Sequence, residues 1–343
     1  MTIILNKNLR ISRNKRTLLI AEISANHCGS KKKFLKHIIK AKESGADLVK
    51  IQTYEPNDML VDKNFKIKTG LWKNRNLWKL YEQAQTKFEW HYDAFRLAKK
   101  KNIELFSTPF SLRALKFLKS FKPNLYKISS FELTDHKLIA EIAKIKKPII
   151  ISTGLSSINE IKSAVRIINK YHNKIILLYC VSGYPTPLDD INFKKINQLR
   201  KTTKVPLIGF SDHTKGNSAS IASLSHDVCI IERHFTISKK SISPDAKFSI
   251  DEKELSELKK FTISMDKIYN SKKSKIISEK HSKIFRRSIY STKDIKINEK
   301  FTDKNIACFR PNLGVSADQY FKVIGKKSKK NIKKNTPFKS QFY

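Results

Sequence analysis

Eight short apolar runs punctuate the first three-quarters of the chain, at 18–23, 48–51, 103–106, 125–128, 148–151, 175–179, 206–210 and 228–231. They are rich in Ile, Leu and Val and show little polar alternation, the pattern of parallel strands buried on both faces. Between them lie segments with apolar positions at helical spacing, at 32–44, 89–101, 112–120, 136–145, 158–169, 192–200 and 217–225. A further helix is predicted at 252–269, with Leu255, Leu258 and Phe261 on one face. Eight strand–helix alternations over about 250 residues predict an α/β fold, a (β/α)8 TIM barrel. A doubly wound sheet is the rival, but no glycine fingerprint opens its first helix.

Two segments break the alternation. The stretch 55–87, with Trp72, Trp78 and Tyr81, is too long for a βα loop and is expected to cover the barrel mouth. Around 271–283 the chain turns polar and Lys-rich, which reads as a linker. The expected organisation is therefore a barrel domain at 1–270, a linker at 271–283 and a small β-rich domain at 284–343. Within the last, Lys293-Asp-Ile-Lys-Ile-Asn-Glu and Lys330-Asn-Ile-Lys-Lys-Asn-Thr are two similar strand–turn phrases.

Composition narrows the classes. The 343 residues carry 70 Lys and Arg against 30 Asp and Glu, a formal net charge of +40, which raises nucleic acid as a partner. The lysine pairs are scattered, however, and no aromatic RNA-binding signature interleaves them, so nucleic acid is not the expected partner. With 40% hydrophobic residues the chain is no disordered polycation. No uncharged apolar run reaches the roughly 18 residues that span a bilayer. The first apolar stretch is also too short for a signal peptide. Cys28, Cys180, Cys229 and Cys308 are widely and irregularly spaced, which fits reduced thiols in a cytoplasmic protein without a membrane partner.

The candidate chemistry sits where the apolar runs end. Barrel enzymes gather reactive groups at the carboxyl ends of their strands. Those ends carry Glu22, Lys50 and Gln52, Thr108, Lys127 and Ser130, Ser152, Ser182 and Tyr184, Ser211 and His213, and Glu232 and His234. Neighbouring strands lie about 4.8 Å apart. His213 and His234 could therefore share one divalent ion, with positions left for water and a substrate oxygen. Lys50 and Lys127 would repel each other in an enclosed mouth unless an anion sat between them. With the hydroxyls of Thr108, Ser130, Ser152 and Ser211 they would cradle a phosphate or carboxylate. A Schiff-base lysine, as in aldolases, stays open at this point.

Ile20-Ala-Glu-Ile-Ser-Ala-Asn-His, Gly45-Ala-Asp-Leu-Val-Lys-Ile-Gln-Thr-Tyr, Tyr126-Lys-Ile-Ser-Ser-Phe-Glu, Ile151-Ser-Thr-Gly, Gly209-Phe-Ser-Asp-His-Thr and Ile231-Glu-Arg-His-Phe-Thr resemble the sialic acid synthase family. The phrase Gly70-Leu-Trp-Lys-Asn-Arg-Asn-Leu-Trp-Lys-Leu-Tyr, with the Ser-Phe-Glu after Lys127, is most similar to its pseudaminic acid synthase branch. Phe309-Arg-Pro lies in a region that resembles the antifreeze-like SAF domain.

The resemblance implies condensation of phosphoenolpyruvate with an open-chain amino-sugar aldehyde, giving a nine-carbon α-keto acid sugar and phosphate. By similarity, Lys50, Thr108, Lys127, Ser130, Ser152, Ser182, Tyr184 and Ser211 would hold phosphoenolpyruvate. His213 and His234 would bind Mn²⁺ or Mg²⁺. Glu22, Gln52, Glu132 and Asp245 would contact the sugar or water at the metal, with Glu22 preferred for orienting that water. Arg310 resembles the SAF arginine that enters the partner's active site in a domain-swapped homodimer.

Where the family reads Gly-Gly-Pro-Asp after its second metal histidine, this chain has Ser241-Ile-Ser-Pro-Asp. N-acetylneuraminate and legionaminic acid synthesis are the alternatives within this chemistry. A Schiff-base aldolase and a nucleic-acid-binding barrel are alternatives outside it.

Overall fold

The computed structural model describes residues 1–271 and 277–343. Part of the expected linker, 272–276, lies outside the described residues. Met1–Ser271 forms one compact unit and Lys272–Tyr343 another.

The first unit opens with an antiparallel hairpin, β1 (Thr2–Ile4) and β2 (Arg10–Ser12). Eight parallel strands follow: β3 (Leu18–Glu22), β4 (Leu48–Thr53), β5 (Glu104–Pro109), β6 (Tyr126–Ile128), β7 (Ile149–Ser152), β8 (Ile175–Cys180), β9 (Ile208–Asp212) and β10 (Ile230–His234). Their order is β5-β4-β3-β10-β9-β8-β7-β6, and β5 and β6 at its two ends pack side by side. This is a nearly closed (β/α)8 barrel.

The helices are α1 (Lys31–Glu43), α2 (Pro56–Met59), α3 (Leu77–Ala84), α4 (Phe88–Lys100), α5 (Leu112–Lys119), α6 (His136–Ala143), α7 (Ile158–Asn169), α8 (Lys194–Thr203), α9 (Ser218–Ser223) and α10 (Glu252–Tyr269). Ser157 and Asp251 start α7 and α10 through reciprocal capping with Glu160 and Glu254, which satisfies amides that a helix start leaves open.

The period-two alternation of each strand divides the core. Leu19, Val49, Ile51, Leu105, Ile149, Ile151 and Leu177 face outward and pack with Phe34 and Ile38 of α1 and Ala94 and Ala98 of α4. Ile20, Leu48, Phe106, Ile150, Ile176, Leu178 and Ile230 fill the barrel interior. Ile3, Leu5 and Ile11 of the hairpin join this inner cluster, so the hairpin plugs the amino-terminal end of the barrel.

Two residues further along each strand, the inward positions change character. Ile20 is followed by Glu22, Leu48 by Lys50, Phe106 by Thr108, Leu125 by Lys127, Ile150 by Ser152 and Ile230 by Glu232. An apolar layer therefore supports a polar one at the carboxyl end. The segment 55–87, with α2 and α3 and a bridge between Lys66 and Asn76, closes over that end.

In the second unit β11 (Ser288–Ser291) pairs antiparallel with β12 (Ile306–Phe309), and α11 spans Tyr320–Val323. A bridge between Ile295 and Ile332 joins the two similar phrases. Ile289, Phe301, Ile306 and Phe338 form the core of this unit.

Candidate active site

Four buried charged side chains make the floor of the site. The register of β3 and β4 sets Glu22 beside Lys50, and Lys50 Nζ lies 2.6 Å from Glu22 Oε2. Glu232 Oε1 is 3.2 Å from Lys50 Nζ and 3.7 Å from Lys127 Nζ. The sequence argument left the two lysines in need of an anion from outside. Instead the carboxylate of Glu232 sits between them, because β10 directs it inward at the same depth.

This compensation is uneven. Burial works against both cations. For Lys50 the carboxylates of Glu22 and Glu232 outweigh it, and the pKa is raised. For Lys127 burial wins, and its pKa falls to about 8. Burial would also raise Glu232, but Lys127 and Lys50 hold it at about 2. Lys127 is thus the cation with unspent attraction for an anion.

Hydroxyls and a backbone amide surround Lys127. Its ammonium donates to Ser152 Oγ at 2.7 Å, and Gly154 N–H donates to Ser130 Oγ at 3.1 Å. Ser211 Oγ donates to Glu232 Oε1 at 3.2 Å. A Cβ on Gly154 would stand 2.2 Å from Ser182 Oγ and 2.9 Å from Ser130 Oγ, so glycine is what leaves these hydroxyls their space. Thr108 is buried, and its hydroxyl has no hydrogen-bond partner among the described residues. An oxyanion with several acceptor oxygens would satisfy such a set of donors.

Beside this cradle the rings of His213 and His234 approach with centroids 5.5 Å apart. His213 Nδ1 lies 3.1 Å from the carbonyl of Val181, which orients the ring and leaves Nε2 as its free nitrogen. Buried His234 Nδ1 has no hydrogen-bond partner among the described residues and lies 3.5 Å from Asp245 Oδ2. Two imidazoles, one with an orphaned nitrogen, fit a divalent transition ion whose other positions stay open. Among the described residues no cluster of three or more His, Cys, Asp or Glu forms a closed cage. The ring of Tyr184 lies tilted against His213 with centroids 4.5 Å apart and meets Trp72 at 5.6 Å.

Residues 37–274 match the NeuB family, and residues 286–340 match the SAF domain. The first match covers more than half of the chain. The chain belongs to the NeuB family. It is 39% identical over 325 residues to a pseudaminic acid synthase of Campylobacter jejuni, covering 93% of this chain and 94% of the relative. It is 34% identical to an N,N'-diacetyllegionaminic acid synthase of the same species, covering 94% of this chain and 98% of that one. Among solved structures, the N-acetylneuraminic acid (sialic acid) synthetase of Leptospira borgpetersenii in complex with citrate is similar with a TM-score of 0.74 and 29% identity. That similarity covers 82% of this chain and 95% of that one.

In this NeuB barrel ten of the predicted residues line one cavity: Lys50, Gln52, Lys127, Ser130, Ser152, Tyr184, Ser211, His213, His234 and Asp245. Glu22 lies against Lys50, and Ser182 is 3.8 Å from Cys180 at the side of the cradle. Glu132 follows on the rim, accepts from the Ser129 hydroxyl, and has its carboxyl pushed by burial up to about 7. Gln52 Nε2 donates to Ser24 Oγ at 3.0 Å. Arg310 belongs to the second unit, where it is exposed.

Two serines shape the Asp245 loop. Asp245 N–H donates to Ser243 Oγ at 3.1 Å, and Ser249 Oγ donates to Asp245 O at 2.7 Å. Asp245 stays buried beside His234.

Sequence reasoning placed Glu232 at a strand end without giving it a role, and passed over Cys180 and Gly154. Charge balance across two inward lysines is the signal that points to Glu232. Cavity size would have misled. A larger cavity of about 910 Å³, against about 210 Å³ for the site, lies at the opposite end of the barrel. It is lined by Arg16, Asp47 and Glu104 near the strand starts, and Asp47 is already paired with Arg16 and Lys259. That face of a barrel serves stability rather than chemistry.

Proposed function

We propose that this chain is a pseudaminic acid synthase. It condenses phosphoenolpyruvate with 2,4-diacetamido-2,4,6-trideoxy-L-altrose to a nine-carbon α-keto acid sugar and phosphate. The observation that carries this reading is the single cavity in which an under-compensated lysine, its hydroxyl cradle and an imidazole pair meet. The 39% identity to a pseudaminic acid synthase, against 34% to a legionaminic acid synthase, supports the choice of sugar.

Phosphoenolpyruvate lies with its phosphate toward Lys127, Ser152, Ser130 and the Gly154 amide, and its carboxylate within reach of the remaining cations and hydroxyls. Thr108 and Ser182 complete the cradle. The enol carbon attacks the aldehyde carbon of the sugar as its C=O π bond opens, the cation left at C2 is captured by water, and a proton given up by that water ends on the former aldehyde oxygen. The tetrahedral adduct then loses phosphate by C–O cleavage while Lys127 and Lys50 offset the charge of the departing group. Mn²⁺ or Mg²⁺ held by His213 and His234 would supply Lewis-acid polarisation of the aldehyde oxygen.

Of the carboxylates, Glu22 is committed to Lys50 and to the Ser24 amide, whereas Glu132 is poised near neutrality. Glu132 therefore takes the proton of the attacking water, a role the sequence reading gave by preference to Glu22. Gln52 and Asp245 position the sugar, and Tyr184, against His213, helps to hold phosphoenolpyruvate. Arg310 reaches the site of a partner copy in a swapped homodimer, where its guanidinium meets the sugar.

The test is mass spectrometry of products from phosphoenolpyruvate and a panel of six-carbon amino-sugar aldehydes, with a divalent ion present or chelated. The expected result is incorporation of the altro-configured diacetamido trideoxy sugar alone, lost on chelation and restored by Mn²⁺ or Mg²⁺. Preferred use of the legionaminic or N-acetylneuraminate precursor contradicts the assigned sugar, and undiminished turnover after metal removal contradicts the metal role. Borohydride trapping of pyruvate on Lys50 or Lys127 would favour an aldolase.

A further inference from the structure

Helix α3 carries Leu77, Leu80, Tyr81 and Ala84 at the i, i+3, i+4, i+7 spacing of one apolar stripe, while Lys79, Glu82 and Gln83 are exposed. Such a stripe on a surface helix ordinarily packs into a core. Here all four residues line the active-site cavity, with Met59 and Trp72 beside them. The wall is firmly built. Asn76 caps α3 by accepting from Lys79 N–H at 2.8 Å and donates to Lys63 O at 2.8 Å. Tyr81 packs edge-on against Tyr54 at 5.7 Å, and Trp72 Nε1 donates to Pro244 O at 3.4 Å.

The cavity is therefore two-faced, with ions and hydroxyls at the strand ends and hydrocarbon from the helix. The strand-end face suits the phosphate and the reacting aldehyde. The α3 stripe has one polar side-chain atom, the Tyr81 hydroxyl, and a sugar hydroxyl turned toward Leu77 or Ala84 would lose water without gaining a partner. A methyl group there would gain burial instead.

We propose that the apolar stripe of α3 is the specificity element for the methyl-bearing end of the sugar, accepting a 6-deoxy carbon and discriminating against the 6-hydroxy counterpart. This rests on the pseudaminic acid synthase reading of the same site.

The experiment compares kcat/KM for the 2,4-diacetamido-2,4,6-trideoxy sugar and its 6-hydroxy counterpart at saturating phosphoenolpyruvate, in the wild type and in the Leu77→Asn and Leu77→Met variants. An apolar pocket discriminates such pairs by about 10- to 100-fold, which is the preference expected of the wild type. Leu77→Asn should cut that preference to about 3-fold or less through a higher sugar KM, with the KM for phosphoenolpyruvate unchanged, and Leu77→Met should keep it.

Equal use of both sugars by the wild type, or an Asn variant that loses both in the same proportion, overturns the proposal. If Leu77→Asn fails to fold, Ala84→Ser places one hydroxyl on the wall and is judged by the same ratio. Should neither diacetamido sugar react while another aldose does, the pseudaminic reading fails. The stripe is then judged on that aldose against its 6-deoxy form, a preference of about tenfold supporting it and parity overturning it.

Discussion

Burial takes Lys127 and Glu132 in opposite directions from their ordinary values, and the two shifts meet near neutrality. Lys127 loses its proton as pH rises through about 8, far below an exposed lysine, and Glu132 gains one as pH falls through about 7. If Lys127 binds the anion as an ammonium and Glu132 accepts the proton as a carboxylate, both working forms dominate only between these limits. The kcat/KM for phosphoenolpyruvate should accordingly be bell-shaped, since that parameter reports the free enzyme. Lys127→Arg should move the alkaline limb upward and Glu132→Gln should remove the acid limb, while Lys127→Ala should cost about 10²–10³-fold. A profile flat from pH 6 to 9, or limbs that survive both substitutions, would count against these roles. Glu232 shapes this behaviour without titrating in the range, because Lys127 and Lys50 keep it ionised.

At the scale of elements, the strands were legible because most are runs rich in Ile, Leu and Val, and all eight begin within two residues of the expected start. Their ends were less so. Ser152, Asp212 and His234 continue the ladder beyond the last apolar residue, since a backbone hydrogen bond is indifferent to side-chain polarity. The hairpin of β1 and β2 left no periodic signal, each strand being three residues long with one buried side chain. The ring of strand-end residues was legible as a set because it follows from the barrel alone. What each member does was not, because Glu232 between two lysines, and the pairing of Glu22 with Lys50, depend on register and depth. The α3 stripe shows the same limit, since spacing reveals an apolar face but not whether it meets core or cavity.

For the whole molecule, the +40 net charge is mostly a property of the surface, and the cations that matter to the chemistry are few. No helix among the described residues is long and apolar enough to cross a membrane. If Arg310 serves a partner copy, mixing inactive Arg310→Ala and His213→Ala chains in equal amounts should restore about a quarter of wild-type activity, from the one complete site in each mixed dimer. No recovery, with mixed dimers seen by native mass spectrometry, would remove the swap.

The central claim is that phosphoenolpyruvate joins the sugar at the strand-end cavity and leaves its phosphate by C–O cleavage. It is tested most directly with phosphoenolpyruvate carrying ¹⁸O in the bridging position. One equivalent of labelled inorganic phosphate per nine-carbon acid is the predicted result. Label retained in the acid or in free pyruvate, or no phosphate released in the presence of the sugar, would contradict it.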